Sequence, residues 1–210
     1  MIYKIISIKD NFLEDIYKKS LGDLNNFFGI NWENHLPKII VVDTREEINS
    51  LRGEKTEDWI IGWSEGQTIY VLNKDNFEKE SNYKYNYDEY FAFIKHELSH
   101  SFFNILSGGV QKPIWFNEGI AIYTSGQNKF KKQPIVFEKF LEFYDYGGKE
   151  VYSESGFAVE FLVKKYGKEK ILKLISNLGL IKNKDDFSSR FKDIYGFELN
   201  YKNFNDLIIV

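Results

Sequence analysis

The chain has 210 residues, of which 43% are hydrophobic and 18% are aromatic, and its formal net charge is −3. This composition supplies enough apolar surface for one sizeable domain or two small lobes, and it argues against an intrinsically disordered chain. Basic and acidic residues are interspersed, so no concentrated positive face and no nucleic-acid partner are expected. Because the chain has no cysteine, disulfide scaffolds, thiolate metal sites and cysteine nucleophiles are excluded.

The N-terminal segment MIYKIISIKDNFLEDIYKK contains no uninterrupted apolar stretch and no small-residue cleavage site, so no signal peptide is expected. The longest apolar runs, at residues 39–42 and 120–123, are far shorter than a membrane span. The sequence therefore predicts a cytoplasmic protein without a membrane partner, and it leaves the oligomeric state open.

The first predicted elements are a helix, a strand and a second helix. Asp10 can cap a helix that runs to about Phe28, with Gly29 as its stop. Residues 38–43 form a buried apolar run typical of a strand. Residues 44–53 predict a short helix with a polar face.

A β-hairpin is predicted next, with strands at residues 59–63 and 68–72 and Gly66 in the turn. The second of these strands is a candidate for pairing with an extended substrate backbone, as sheet edges do. Its residues are also candidates for the core, and the sequence does not separate those roles.

Two helices follow around a glycine pair. The first is predicted over residues 87–106 and ends at Gly108 and Gly109. Pro113 suits the start of the second helix, which is expected to run to about Ser125.

The last third of the chain is predicted to be helical. Helices are expected at residues 136–144, 157–166, 168–178 and 185–195, with left-handed C-terminal caps at Gly167, Gly179 and Gly196. The order of elements predicts an α+β fold. Its N-terminal lobe, residues 1–108, would hold a mixed sheet and the long helix, and its C-terminal lobe, residues 109–210, would be mainly helical.

The long helix carries an HExxH motif, His96-Glu97-Leu98-Ser99-His100. Residues i and i+4 of a helix lie on one face, so both imidazoles can reach a single metal ion. Glu97 projects beside that position and is a candidate general base. An apolar stripe on the opposite face is expected to pack into the core; it comprises Tyr87, Phe91, Ile94, Leu98, Phe102 and Ile105.

A catalytic zinc ion usually has three protein ligands and one open position. The arrangement with a third histidine six residues after the motif is excluded, since that position is Leu106. The candidate third ligand is Glu118, which would be brought back by the turn between the two helices. A mid-helix glycine costs roughly 1 kcal/mol relative to alanine, so Gly119 predicts a close approach of the second helix to the first. Glu118 as a surface residue and Gly119 as an ordinary kink are the alternative.

The strings HELSH and WFNEGIA together resemble the gluzincin zinc peptidases, and within them the small bacterial peptidase MA-like proteins. IGWSEGQTIYVLN and VYSESGFAVEFLVKKYGKEKILKLI extend this resemblance over about residues 38–206. The resemblance implies a zincin-like fold, one zinc ion on His96, His100 and Glu118, and hydrolysis of a peptide or protein substrate with Glu97 as base. Tyr152 precedes the helix that contains Gly156, matches the family's tyrosine there and is the candidate donor to the developing oxyanion. Tyr152 as a core or surface tyrosine is the alternative.

The chain departs from related peptidases at two points. The position where thermolysin-like enzymes carry an aspartate that orients a histidine is Ile122, so other groups must orient the imidazoles. The only methionine is Met1, so the GxMEN motif of the aminopeptidases is absent. Glu65 is a weak substitute for that motif, and no exopeptidase activity is assigned.

Three other functions are compatible with the sequence. A purely structural zinc site would need a fourth ligand, for which His35 is the only remaining histidine. The chain could also be an inactive zincin-like binding module, or a zinc hydrolase of a non-peptide substrate.

Overall fold

A computed structural model describes residues 7–148 and 150–208 of the chain. The fold is α+β, with one three-stranded sheet near the N-terminus and helices elsewhere. The outermost residues of both predicted lobes, 1–6 and 209–210, lie outside the described residues. The elements in chain order are α1 (Asn11–Phe28), β1 (Lys38–Val42), α2 (Arg45–Arg52), β2 (Gly62–Glu65), β3 (Thr68–Leu72), α3 (Phe77–Glu80), α4 (Tyr87–Ser107), α5 (Ile114–Ser125), α6 (Val151–Tyr166), α7 (Lys168–Ser176), α8 (Lys184–Tyr195) and α9 (Tyr201–Ile208).

The N-terminal helices begin and end where the sequence predicts. The side chain of Asp10 accepts a hydrogen bond from the backbone N–H of Leu13, and α1 ends at Gly29 in the left-handed conformation. Thr44 and Glu47 form a capping box at the start of α2. These local signals set the helix ends without help from distant residues.

The sheet has the strand order β1-β3-β2, with β1 parallel and β2 antiparallel to β3. The predicted hairpin is confirmed with Gly66 in its turn, although β2 covers Gly62–Glu65 rather than residues 59–63. β3 is the central strand, so the expectation that it offers an edge to substrate is wrong. Of the two hairpin strands, β2 is the one at an edge.

Helix α4 lies at the centre of the molecule and contacts α1, α5, α7, β2 and β3. Ile94, Leu98 and Phe102 of its predicted apolar stripe are fully buried. Tyr87 and Ile105, at the two ends of the stripe, are 43% and 47% exposed, because the helix extends beyond the core at both ends.

Two contacts fix α4 against the sheet. The hydroxyl of Tyr90 donates a hydrogen bond of 2.9 Å to the carbonyl of Leu72 at the end of β3. A Cβ atom at Gly62 would lie 2.8 Å from the ring of Phe93, so glycine lets β2 lie directly against the helix. The sheet and the HExxH helix are therefore one packed unit.

The helix predicted at residues 136–144 is wrong; only a 3-10 turn, Phe140–Glu142, forms there. The buried carboxylate of Glu154 accepts hydrogen bonds from the backbone N–H groups of Glu138, Lys139 and Phe140, and this draws the segment onto α6. The predicted left-handed cap at Gly179 is also wrong, because this glycine lies within a 3-10 turn, Leu178–Leu180, and has no positive φ.

The remaining C-terminal helices agree with the sequence in position more than in length. α6 begins at Val151, six residues earlier than predicted, and α9 was not predicted. Gly196 is a left-handed cap, whereas Gly167 has a positive φ of 82° with an extended ψ of 159°.

Apolar residues on both sides of residue 108 belong to one core cluster. For example, Phe103 of α4 meets Phe116 of α5 edge-to-face, with ring centroids 6.1 Å apart. The division into lobes at 108/109 stays a prediction. None of the described helices combines the length and the apolar character needed to cross a membrane.

Candidate metal site

Helix α4 places His96 and His100 one turn apart on the same face, as their spacing predicts. Both side chains are largely buried, and their Nε2 atoms are 3.1 Å apart. Their rings are nearly perpendicular, with centroids 4.7 Å apart.

Helix α5 brings Glu118 to the two imidazoles. Its Oε2 atom lies 3.3 Å from Nε2 of His96 and 3.8 Å from Nε2 of His100. His96, His100 and Glu118 are the group that could hold a metal ion among the described residues. His35 is exposed and does not belong to this group.

Close packing of α5 fixes the position of Glu118, but against α6 rather than against α4 as predicted. A Cβ atom at Gly119 would lie 2.6 Å from the carbonyl oxygen of Ser155. A Cβ atom at Gly156 would collide with the side chain of Ile122 in the same way. Ile122 therefore fills the contact between α5 and α6 and is not available to orient an imidazole.

Two amide side chains orient the imidazoles instead. Nδ1 of His96 lies 2.9 Å from Oε1 of Gln127, and Nδ1 of His100 lies 2.9 Å from Oδ1 of Asn117. An amide oxygen can only accept, so each Nδ1 carries the proton and each Nε2 presents a lone pair. Both lone pairs then point at the Glu118 carboxylate, where a cation would be favoured.

The distances within the group bracket those expected around a tetrahedral ion. Bonds of about 2.0–2.2 Å in a tetrahedron separate the ligand atoms by about 3.3–3.6 Å. The three separations here are 3.1, 3.3 and 3.8 Å. Oε2 of Glu118 is buried without a hydrogen-bond donor, because neither Nε2 of His96 nor that of His100 carries a hydrogen in these tautomers. The donor set fits a divalent metal ion of the zinc type.

The electrostatics point the same way. Burial alone would lower the pKa of His96, but the Glu118 carboxylate outweighs burial and raises it. Burial alone would raise the pKa of Glu118, but His100 and His96 outweigh burial and lower it. The carboxylate and the imidazoles therefore favour a positive charge at the position between them.

Glu97 lies next to the metal-binding group and faces a cleft. The cleft has a volume of about 570 Å³, and His96, Glu97 and Tyr152 are among the residues that line it. Glu97 is 8% exposed, and no described residue forms a hydrogen bond with its carboxylate. It is free to accept a proton from a molecule in the cleft.

Tyr152 lies on the first turn of α6, with its ring centroid 6.4 Å from that of His96. Burial, reinforced by the charges of Glu118 and Glu97, raises the pKa of its hydroxyl. The phenol therefore keeps its proton at neutral pH and can act as a donor. Tyr152 lines the same cleft as Glu97, and its role as an oxyanion donor stays a prediction.

Asn117 and Gln127 are the functional residues that the sequence interpretation missed. Asn117 precedes Glu118 in the same NEG string, so its position was available as a signal. Gln127 begins a 3-10 turn, Gln127–Phe130, directly after the left-handed Gly126. No local pattern marked it.

No family model matches the chain, and no curated protein or solved structure matches it either.

Proposed function

We propose that the chain is a zinc-dependent peptidase of the gluzincin type with a zincin-like fold. The observation that carries the proposal is the convergence of His96, His100 and Glu118, whose facing atoms lie 3.1–3.8 Å apart, with Glu97 beside them in a cleft. No fourth His, Asp or Glu joins this group among the described residues. Three protein ligands and an open position are typical of catalytic rather than structural zinc sites.

Zinc suits two imidazole nitrogens and one carboxylate oxygen better than calcium or magnesium, which prefer sets of oxygen ligands. When bound, zinc lowers the pKa of a coordinated water from 15.7 to about 7 and polarises a carbonyl group. Asn117 and Gln127 hold the imidazoles in the tautomer that such an ion requires.

The remaining catalytic roles belong to Glu97 and Tyr152, which line the same cleft. Glu97 accepts a proton from the attacking water and passes it to the leaving amine as the peptide bond breaks. Tyr152, whose phenol is protonated at neutral pH, donates a hydrogen bond to the oxygen that becomes negatively charged.

The cleft also supports an extended peptide as substrate. Gly62 of the edge strand β2 and the preceding Ile60 and Ile61 line it. β2 pairs with β3 on one side and with no strand on the other among the described residues. An extended backbone can add to such an edge through main-chain hydrogen bonds.

The test is a pair of substitutions on α4. In Glu97→Gln the side chain keeps its size but loses its basicity, so we expect peptide hydrolysis to fall by about 10²–10⁴-fold while bound zinc is unchanged. Glu89→Gln is the matched control, since Glu89 lines the same cleft and lies on the same helix, and it should retain activity. Digestion of a peptide library and elemental analysis of each protein supply the measurements.

Two outcomes would contradict the proposal. Full peptidase activity in Glu97→Gln would reject Glu97 as the base. Zinc-loaded wild-type protein that cleaves no member of the library would reject peptide hydrolysis.

A further inference from the structure

The cleft contains a lysine that no acidic residue pairs with. Lys131 is half-buried and lines the cleft with His96 and Glu97. Among the described residues, no hydrogen bond or ion pair involves its ammonium group, and Nζ lies 5.9 Å from the ring centroid of Tyr152. Partly buried lysines are usually paired, because removing an ammonium ion from water is costly.

The backbone holds Lys131 close to the metal-binding group. The 3-10 turn Gln127–Phe130 begins with the residue that orients His96, and Lys131 follows it directly. The backbone N–H of Lys131 donates a hydrogen bond of 3.1 Å to the carbonyl of Asn128. The side chain of Asn128 in turn donates to Glu160 of α6 at 2.5 Å. The turn is therefore tied both to α4 and to α6.

Once a divalent ion is bound, the carboxylates near Lys131 no longer balance its positive charge. Two positive charges on the ion offset the two negative charges of Glu97 and Glu118. The other charged residues that line the cleft are Lys84, Lys132 and Glu89, which are exposed. Glu118 attracts the Lys131 ammonium in the metal-free chain, but a bound ion would neutralise that carboxylate. A negative group is then the missing partner.

The rest of the cleft wall is largely apolar. Trp59, Ile60, Ile61 and Phe93 line it, and Phe130 lies beside Lys131 in the chain. An apolar wall next to a single half-buried cation suits a ligand that combines apolar side chains with one carboxylate. A bound ligand without a negative group would displace water from the Lys131 ammonium and leave that ammonium unpaired.

We infer that Lys131 binds a carboxylate of the peptide substrate, so the chain prefers apolar peptides that carry a carboxylate near the scissile bond. This inference rests on the proposed function, and it names the substrate class of the same site. The carboxylate can be the C-terminus of the peptide or an acidic side chain, since the chemistry of recognition is the same. Lys131 is in this sense a specificity-determining residue.

The experiment measures binding in the zinc-loaded Glu97→Gln background, so that no turnover is needed. Three versions of one acetylated peptide, Leu-Phe-Ala-Gln, serve as probes: the C-terminal amide, the free C-terminal acid, and the amide with glutamate in place of glutamine. Calorimetry should give a dissociation constant about tenfold or more lower for one acid-bearing version than for the neutral amide. Which version gains identifies the source of the carboxylate.

Variants at two neighbouring lysines complete the test. Lys131→Met keeps the apolar stem and should remove the preference, whereas Lys131→Arg should keep most of it. Lys132→Met is the matched control, because Lys132 lines the same cleft but is exposed, and it should bind all three peptides like the parent. Unchanged binding of the neutral amide and unchanged zinc content would show that Lys131→Met remains folded.

Several results would overturn the inference. One is equal binding of the three peptides to the parent protein, which needs no Lys131 variant to be informative. Another is a preference for acids that survives in Lys131→Met. A third concerns kcat of Lys131→Met made in the wild-type background, without Glu97→Gln. If kcat falls as much for the neutral amide as for the acidic peptides, Lys131 acts as a transition-state donor instead. Failure of the proposed function is distinguishable, because it would appear as absence of cleavage by the wild type and leave the binding comparison intact.

Discussion

The two imidazoles are supported from regions of different character. His100 is oriented by Asn117, a buried residue on α5, next to the ligand Glu118. His96 is oriented by Gln127, a half-buried residue in a short turn that borders the cleft. We call these the inner and the outer side of the site.

Under the proposed function, the two sides would have different tasks, since the inner side would hold the metal ion and the outer side would contact the substrate. On the inner side, Asn117 and Glu118 lie on one packed helix, and Asn117 is only 7% exposed. On the outer side, the same turn carries Gln127 and precedes Lys131, and both face the cleft. Loops placed by a rigid scaffold commonly carry the contacts that select a substrate. Changes on the inner side should therefore affect metal binding and stability, and changes on the outer side should affect specificity.

The largest effect is expected from removing the inner ligand. Glu118→Ala leaves two imidazoles without the carboxylate that completes the set, so zinc content after dialysis should fall from about one ion per chain toward zero. Elemental analysis provides the measurement. Glu160→Ala is a suitable control, since Glu160 is a partly buried glutamate that contacts Asn128 rather than the metal-binding group. An unchanged stoichiometry in Glu118→Ala would reject Glu118 as a ligand.

Replacing Asn117 or Gln127 by alanine compares the inner and outer sides through the loss of zinc affinity. Loss of a residue that orients a ligand typically costs 10–100-fold in metal affinity. We expect Asn117→Ala to lie near the top of this range, about 100-fold, because it leaves Nδ1 of His100 without a partner where water has little access. Gln127→Ala should cost about tenfold, because water from the cleft can replace the amide. Zinc affinity measured by chelator competition decides the question, and equal losses would refute the inner–outer distinction.

A pair of glycines tests how tightly the inner side is packed. Gly119→Ala places a methyl group 2.6 Å from the carbonyl oxygen of Ser155 and should destabilise the fold by about 1–3 kcal/mol. Gly22→Ala is the control in the middle of α1, where nothing lies within 4 Å of the new Cβ; it should stabilise by roughly 1 kcal/mol. Urea denaturation of both variants gives the free energies of unfolding. The same sign for both would contradict the close contact between α5 and α6.

The smallest effect is expected at Tyr17, which lies outside both sides of the site and affects only the pH dependence of stability. Tyr17 donates a hydrogen bond of 2.5 Å to the carbonyl of Pro37, and burial raises its pKa to about 12. An unfolded tyrosine ionises near pH 10, so the folded chain binds more protons above that pH. Its contribution to stability is complete below about pH 10 and is lost as the pH rises through about 12.

Tyr17→Phe should therefore weaken the decline of the urea midpoint between pH 9 and pH 11. Some decline should persist, since burial also raises the pKa of Tyr90, Tyr152 and Tyr195. Identical slopes for wild type and variant would show that Tyr17 ionises alike in both states.

The grouping of His96, His100 and Glu118 was predictable from sequence because its signals are local, whereas the role of Asn117 was missed. The spacing of His96 and His100 fixes their common face, and the glycine that ends α4 allows the chain to return with Glu118. Helix caps such as Asp10 and Gly29 are equally local. No match to known proteins supports the family resemblance, so the gluzincin assignment stays a prediction.

The outer side and residues 136–144 could not be predicted because distant residues determine them. Phe137, Phe140 and Phe143 recur every third residue and are all buried, as on one face of a helix. Their backbone conformation is instead set by the carboxylate of Glu154, which takes three consecutive amide hydrogens. The pairing of Gln127 with His96 likewise joins residues 31 positions apart. The parallel pairing of β1 with β3 is a third example.

The 3-10 turn Gln127–Phe130 has a thermodynamic consequence. It is four residues long, and it connects the amide that orients His96 to Lys131, which lines the cleft. If occupancy of one end changes affinity at the other by some factor, the reverse influence must have the same factor, because the two equilibria share one cycle. Zinc titrations with and without the acidic peptide, and peptide titrations with and without zinc, must therefore yield a single coupling constant.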